Sequence, residues 1–278
     1  MTKRKHSGIP MPKLITAIVV IVSSLVACIL PQKNSLRSLF TKQSATQDTT
    51  QLEIPAVLTD RPETIIRHTG YVTSYNSTYR TPNWVAWSLS PEKLIEVVSR
   101  TNDFLPDPQL PTAEAVTTDD YKGSGMDRGH MCPAGDNKWN LQAMEESFYM
   151  TNVCPQNHNL NRGDWKELEE MCRDWARRDG KVYIVCGPIY YDQRHKTIGR
   201  DHKVSVPEAF FKVMLAMGDS PRAIGFIFKN TSGNHSLDMY VNSVDEVERI
   251  TGIDFFPALS DDVEREVEAS YDIKQWLE

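Results

Sequence analysis

At 278 residues, with 31 basic against 37 acidic side chains, the chain carries a formal charge of −6 and a pI near 5.7. This balance excludes a protein that holds polyanions by its overall charge and leaves only a local cluster of cations for such a task. The length suffices for one domain with a substantial core, and no internal repeat interrupts it.

The chain begins with Lys3, Arg4, Lys5 and Lys13, with no acid, ahead of an apolar run from Leu14 to Leu30. Removing those four positive charges from the total leaves −10 on the remainder. Basic residues before an apolar run read as an export signal or a membrane anchor, with the amino terminus inside if the run spans. Seventeen residues are marginal for a span. Leu25-Val26-Ala27-Cys28 resembles a bacterial lipoprotein signal, in which the cysteine is acylated. Lipoprotein and uncleaved anchor are equal alternatives, and a plain secreted form is a third. Each places the rest of the chain outside the cytoplasm, in the periplasm or at the cell surface. Residues 31–60, rich in Gln, Ser, Thr and Lys, read as a flexible tether. A single domain over residues 61–278 follows.

Within that domain, helices are expected at Glu92–Ser99, Asp164–Arg178 and Asp245–Thr251, the last behind a Ser243-x-x-Glu246 capping box. Short β-rich runs at Val182–Cys186, Phe210–Ala216 and Ala223–Phe228, bounded by Gly, Pro or Asp, predict strands. The fold class is α+β, with a central antiparallel sheet and flanking helices.

The most informative stretch is Met126–Asp136, M-D-R-G-H-M-C-P-A-G-D. In a strand, Arg128 and His130 share one face. A neutral imidazole can take a proton from water, and a guanidinium offers a planar fork to phosphate oxygens. Gly129 leaves the backbone open to a bulky ligand, and Pro133 ends ladder pairing just past His130. Downstream, Thr151–Gln156 and Asn157–Trp165 form an amide-rich loop that runs into the Asp164–Arg178 helix. Trp165, Leu168, Cys172 and Trp175 mark that helix's apolar stripe, Gly180 its end, and Asn161 or Asp164 its amino-terminal cap. Glu169 follows Asn161 by eight residues, an offset of roughly 80 degrees around a helix, so both reach one locale. An amide oxygen with a nearby carboxylate suits a hard divalent ion that keeps several waters. Arg100, Arg128, Arg162, Lys166, Arg173, Arg177 and Arg178 are candidates for a basic patch.

Cys132, Cys154, Cys172 and Cys186 are an even set, for which two disulfides are expected in any of three pairings, with free buried thiols as the alternative. Their dispersal, without a C-x-x-C pair, speaks against zinc. His68, His158, His195, His202 and His235 lack metal-ligand spacing and read as structural or surface residues.

Asp127-Arg128-Gly129-His130 paired with Asn161 and Glu169 resembles the DNA/RNA non-specific endonuclease family, whose members include endonuclease G-like, ββα-metal or His-Me finger nucleases. Further likenesses run from about residue 65 to the end: Tyr71–Leu89 with Pro82-Asn83-Trp84-Val85-Ala86-Trp87, Arg100-x-x-x-Phe104-x-x-Asp107, Gly187-Pro188, Val206–Val213 and Ile250–Phe256. The resemblance implies a ββα-metal motif and hydrolysis of DNA and RNA to 5′-phosphorylated products. It implies His130 as general base and Asn161 as direct ligand of Mg2+, with Mn2+ as the alternative ion. Glu169 orients the waters around the ion, and Arg128 and Arg100 stabilise charge building on the phosphate. Asn152 supports the site, and Asp127 orients its neighbours. Partners are then DNA and RNA as substrates, and a membrane through the amino-terminal segment. Two rival functions remain: a membrane-tethered nucleic-acid-binding module without catalysis, and a phosphodiesterase of small nucleotides.

Overall fold

A computed structural model describes residues 51–191, 194–218, 220–231 and 233–277. Its centre is a seven-stranded antiparallel sheet in the order β1-β2-β3-β6-β9-β10-β11. The strands are β1 Thr64–Arg67, β2 Val72–Asn76, β3 Thr81–Leu89, β6 Val182–Ile189, β9 Ala209–Ala216, β10 Arg222–Lys229 and β11 Val241–Asn242. Two small pairs stand apart: β4 Asp127–His130 with β5 Val153–Gln156, and β7 Thr197–Ile198 with β8 Val204–Ser205. The three strands expected from sequence are the cores of β6, β9 and β10, each extended by one to three residues.

Both faces of the sheet are covered, and this explains why β6 and β9 read as unbroken apolar runs rather than alternating ones. On one face Val85, Trp87, Ile184, Cys186, Phe210, Met214 and Phe226 pack with Trp165, Leu168, Cys172 and Trp175. On the other, Trp84, Val185, Phe211, Val213 and Leu215 pack with Val244, Val247, Phe255 and Val267. The helices, in chain order, are α1 Leu141–Glu146, α2 His158–Arg162, α3 Asp164–Asp179, α4 Val244–Thr251, α5 Asp261–Glu268 and α6 Ile273–Leu277. The Ser243 side chain accepts from the Glu246 amide and starts α4, while Gly180, at φ 87°, ends α3 as expected.

Three expectations need correction. Glu92–Ser99 is not a helix: only a 3-10 turn at Pro91–Leu94 forms. Ile95 and Val97 are 62% and 68% exposed, Leu94 and Val98 pack against two different clusters rather than one, and the amides of Val97 and Val98 both donate to the Lys138 carbonyl at 2.9 Å. Residues 51–60, placed at the end of the tether, are packed: Leu52 and Leu58 are buried and the Ala56 amide donates to Asp254 O at 2.9 Å. The four cysteines are buried free thiols, not disulfides. The Cys132, Cys172 and Cys186 sulfurs are each engaged separately, with Asn137 Nδ2 at 3.3 Å, Met214 Sδ at 3.1 Å and Met131 O at 3.3 Å. Burial pushes Cys172 and Cys186 up to about 12 and Cys132 and Cys154 well above the ordinary thiol value, so all four act as small core groups. The apolar run Leu14–Leu30, Cys28 and the tether up to residue 50 lie outside the described residues. Among the described residues no helix is long and apolar enough to cross a membrane.

Candidate active site

The site is built on the β4–β5 hairpin and the two helices that follow it. Register pairs Asp127 with Gln156, Arg128 with Pro155, Gly129 with Cys154 and His130 with Val153. Gly129 serves packing rather than ligand approach, because a Cβ there would sit 2.1 Å from Gln156 Oε1 and 2.6 Å from its Cβ. Beyond the hairpin, Asn157 caps α2 by accepting from the amides of Asn159 and Leu160. Gly163 then breaks the chain between α2 and α3, since a Cβ would lie 2.7 Å from the Asn159 carbonyl oxygen.

Asn161 and Glu169 therefore lie on two helices rather than around one, and neither Asn161 nor Asp164 is the cap expected. Gly163 occupies the cap position of α3. Asp164 is buried at the first turn, where it accepts from the amides of Asn234 and His235 and from the Tyr240 hydroxyl. Even so, Asn161 and Glu169 meet in one cavity of about 340 Å3, with Arg100, Arg128, His130, Pro133, Gly135, Arg162, Lys166 and Arg173.

His130 ends β4 with 9% of its surface exposed, and its Nε2 has no hydrogen-bond partner among the described residues. Its ring stands edge-on to Phe148 at 4.8 Å and 5.1 Å from Phe104. Arg128 lies over Phe104 at 4.3 Å and Arg100 over Phe148 at 5.4 Å. Burial, and then the charges of Arg100 and Arg128, lower the imidazole's pKa to about 3. It is neutral at any physiological pH, the state a proton acceptor needs.

Asp127 gathers the amide segment. It accepts from Asn161 Nδ2 at 2.9 Å and His158 Nδ1 at 3.1 Å, with Arg162 Nε 3.7 Å away. Burial alone would raise its pKa, but these partners together lower it, so the carboxylate stays ionised. Asn161 then has its carbonyl oxygen free for a ligand. Half-buried Glu169 is pushed up to about 7, first by burial, which the nearby cations Lys212, Arg173 and Arg100 only partly offset. A carboxylate short of positive charge beside a free amide oxygen fits a hard divalent ion. Asn161 would hold that ion directly and Glu169 through water.

Asn152 is fully buried and does not reach the cavity. It accepts from the Cys132 amide at 2.9 Å and donates to the carbonyls of Cys132 and Ser147 at 2.8 Å, clamping the chain just past His130. Arg177 and Arg178 leave the expected basic patch, because they pair with Asp174 at 2.6 Å and Asp179 at 2.8 Å. His68, His195 and His202 hydrogen-bond to Asp107, Glu208 and Asp120, as structural histidines would.

The sequence names Phe104 and Lys212 only as parts of longer likenesses and assigns neither a role in the site. Phe104 touches both Arg128 and His130 and lines the cavity. Lys212, fully buried on β9, lies 4.2 Å from the Trp165 ring beneath α3. Burial would lower its pKa, yet Cys186, Cys172, Glu169 and Asp136 together raise it. At neutral pH the thiols are protonated, so the carboxylates supply the negative charge. A single lysine among the apolar residues of Ala209–Ala216, in register with Phe210 and Met214 on the same face, was the available signal.

The family model for DNA/RNA non-specific endonucleases matches residues 48–262. The chain belongs to that family. Among its relatives, the mitochondrial nuclease EXOG of Danio rerio is 40% identical over 208 residues, 69% of this chain and 60% of the relative. A nuclease of Nostoc sp. (strain PCC 7120) is 33% identical over 216 residues, 73% of this chain and 76% of that one. A crystal structure of EndoG in complex with its inhibitor EndoGI superposes with a TM-score of 0.70 at 26% identity, covering 77% of this chain and 95% of that one. The matched region spans about three fifths of the length of the EXOG relatives. Family membership and the antiparallel sheet with its ββα unit agree with the fold and function class expected from sequence.

Proposed function

We propose that this member of the endonuclease family hydrolyses internal phosphodiester bonds of DNA and RNA, using Mg2+ or Mn2+ and leaving 5′ phosphates. The observation that carries this reading is the meeting of His130, Asn161, Glu169, Arg100 and Arg128 in one cavity from four separate segments. His130 accepts the proton of the attacking water as its oxygen bonds to phosphorus and the bond to the 3′ oxygen breaks. Phosphate brought into the site raises the basicity of the imidazole by offsetting the field of the two arginines. Arg100 and Arg128 stabilise the growing negative charge on the phosphate oxygens. Asp127 keeps the Asn161 carbonyl turned to the ligand, and Asn152 keeps His130 in place. A divalent ion, when bound, lends Lewis acidity to the scissile phosphate.

A second cavity of about 490 Å3 shares Phe104, Arg128, Asn161 and Arg162 with the first and adds Lys122 together with Asp119 and Asp127, so its cations outnumber its carboxylates by one. It supports a polymer substrate over a small nucleotide, because a longer trough can hold flanking phosphates. Contacts to phosphate rather than base edges carry no sequence preference. A binding module without catalysis would need the arginines but not a neutral buried histidine at the cavity wall.

The test is incubation of the protein with closed circular duplex DNA, single-stranded DNA and RNA, with Mg2+ and with chelator. Opening of the circles only with metal is expected, and His130→Ala is expected to lower the rate by about 10²- to 10⁴-fold while the fold persists. Near-normal turnover by folded His130→Ala would remove His130 as the base, and degradation confined to free ends would remove the endonuclease reading.

We also propose that the segment Leu14–Leu30 holds the enzyme at a membrane, with the nuclease outside the cytoplasm. Full-length protein is expected in the membrane fraction and a chain starting at Gln51 in the soluble one. Cys28→Ser separates the two anchors: lost lipid labelling indicates a lipoprotein, and unchanged size and membrane association an uncleaved helix.

A further inference from the structure

Across the central sheet from the candidate active site, α4 and α5 bring three carboxylates together. Asp245, Glu248 and Glu268 each place one oxygen within 4.8 Å of the other two. Acidic side chains cluster often on surfaces, but Glu268 is not at the surface. It is 5% exposed, and its Oε1 has no hydrogen-bond partner among the described residues. An unpartnered carboxylate oxygen in that position is costly unless a proton or a cation meets it.

No protein cation does so. The arginines carried by the two helices are engaged with other partners, Arg249 with Glu246 at 2.6 Å and Arg265 with Asp262 at 3.3 Å. Among the described residues, no lysine or arginine pairs with any of the three carboxylates. Glu248 Oε1 accepts the Phe255 amide at 2.7 Å, which leaves its second oxygen for another ligand.

We propose that Asp245, Glu248 and Glu268 form a Ca2+ site that fastens α4 to α5. Calcium takes six to eight oxygens at about 2.4 Å in loose geometry, so two of its ligands lie at most about 4.8 Å apart. Three carboxylate oxygens that all lie within 4.8 Å of one another can converge on such an ion with small side-chain shifts, waters completing the shell. Mg2+ demands near-ideal octahedral geometry and gives up its waters reluctantly, so a cluster of three carboxylates suits it less. Because α4 and α5 both pack on β10, the ion would act on the stability of the sheet's outer face rather than on cleavage.

The test is thermal unfolding of the full-length chain in detergent, stripped with chelator and then given millimolar Ca2+ or Mg2+. Binding with [Ca2+] near 100 times Kd is expected to raise the melting midpoint by about 5–10 °C, with a smaller rise in Mg2+. The rise should vanish in Glu268→Gln and in Asp245→Asn, and persist in Asn161→Ala, which disables the candidate catalytic ligand. Asp245 is exposed, so Asp245→Asn keeps the test valid if Glu268→Gln does not fold. No rise with Ca2+ in the unaltered chain would overturn the proposal, as would a rise retained in both carboxylate variants, a rise lost in Asn161→Ala, or a rise in Asn161→Ala that Mg2+ matches. Cleavage of DNA in Mg2+ by Asp245→Asn is expected to equal that of the unaltered chain.

Discussion

The side-chain amide of Asn161 donates to Asp127 Oδ2 at 2.9 Å, so an amide that could present either end to a ligand presents only its carbonyl oxygen. The contact crosses from α2 to β4, and under the proposed function it makes Asp127 the residue that orients the candidate metal ligand. Asp127→Ala should therefore raise the Mg2+ concentration needed for half-maximal cleavage by about 10- to 100-fold, the range for lost outer-sphere partners. A metal titration that superimposes on the parent's would show that Asn161 keeps its orientation unaided.

Arg128→Lys keeps the charge over Phe104 but loses the planar fork. If Arg128 stabilises charge that develops only as the phosphorus–oxygen bonds change, kcat should fall, by about tenfold or more, with KM little altered. Steady-state kinetics on a short duplex make this distinction. A rise in KM at constant kcat would move Arg128 to simple substrate holding.

Gly129→Ala should destabilise the protein even though the residue carries no chemistry. The new methyl would meet the Gln156 side chain, which is fully buried on the paired strand and cannot swing into solvent. Overpacking of this kind costs about 1–3 kcal/mol, read as a lower urea midpoint at unchanged slope. An unchanged midpoint would mean that the hairpin gives way more easily than its burial implies.

Acid should weaken the metal-free protein partly through His130. Its folded-state pKa of about 3 lies below the value of about 6.5 for a free histidine, so between those limits the unfolded chain binds a proton that the native chain refuses. The stability this group contributes is complete above about pH 6.5 and is lost as pH falls towards 3. In chelator, His130→Ala should lose less stability between pH 7 and pH 4 than the parent does. Equal losses in the two proteins would indicate that the native imidazole accepts a proton with little penalty.

Much of this molecule was legible in its sequence. β6, β9 and β10 were legible because a sheet covered on both faces leaves continuous apolar runs, and α3 because Trp165, Leu168, Cys172 and Trp175 repeat at helical spacing. Arg128 and His130 share a face because strand geometry alternates side chains, whatever surrounds the strand. Long-range packing decided the rest. The helical pattern of Glu92–Ser99 failed because Leu94 and Val98 pack against separate clusters, and only the fold placed the Lys138 carbonyl where it captures that backbone. The Asp164–Arg178 helix formed as expected, but Gly163 separates it from α2, and Asn161 and Glu169 meet from two helices rather than around one. Cys132, Cys154, Cys172 and Cys186 reveal neither pairing nor freedom in their spacing. Whether two sulfurs meet depends on how separate elements stack, and here other groups occupy the contact positions. Lys212 is the clearest case. A charge inside an apolar strand looks like an error until the tertiary structure sets its ammonium 4.2 Å from the Trp165 ring and near enough to Glu169 and Asp136 for their charge to favour it, an arrangement that only folding assembles because those groups come from separate elements.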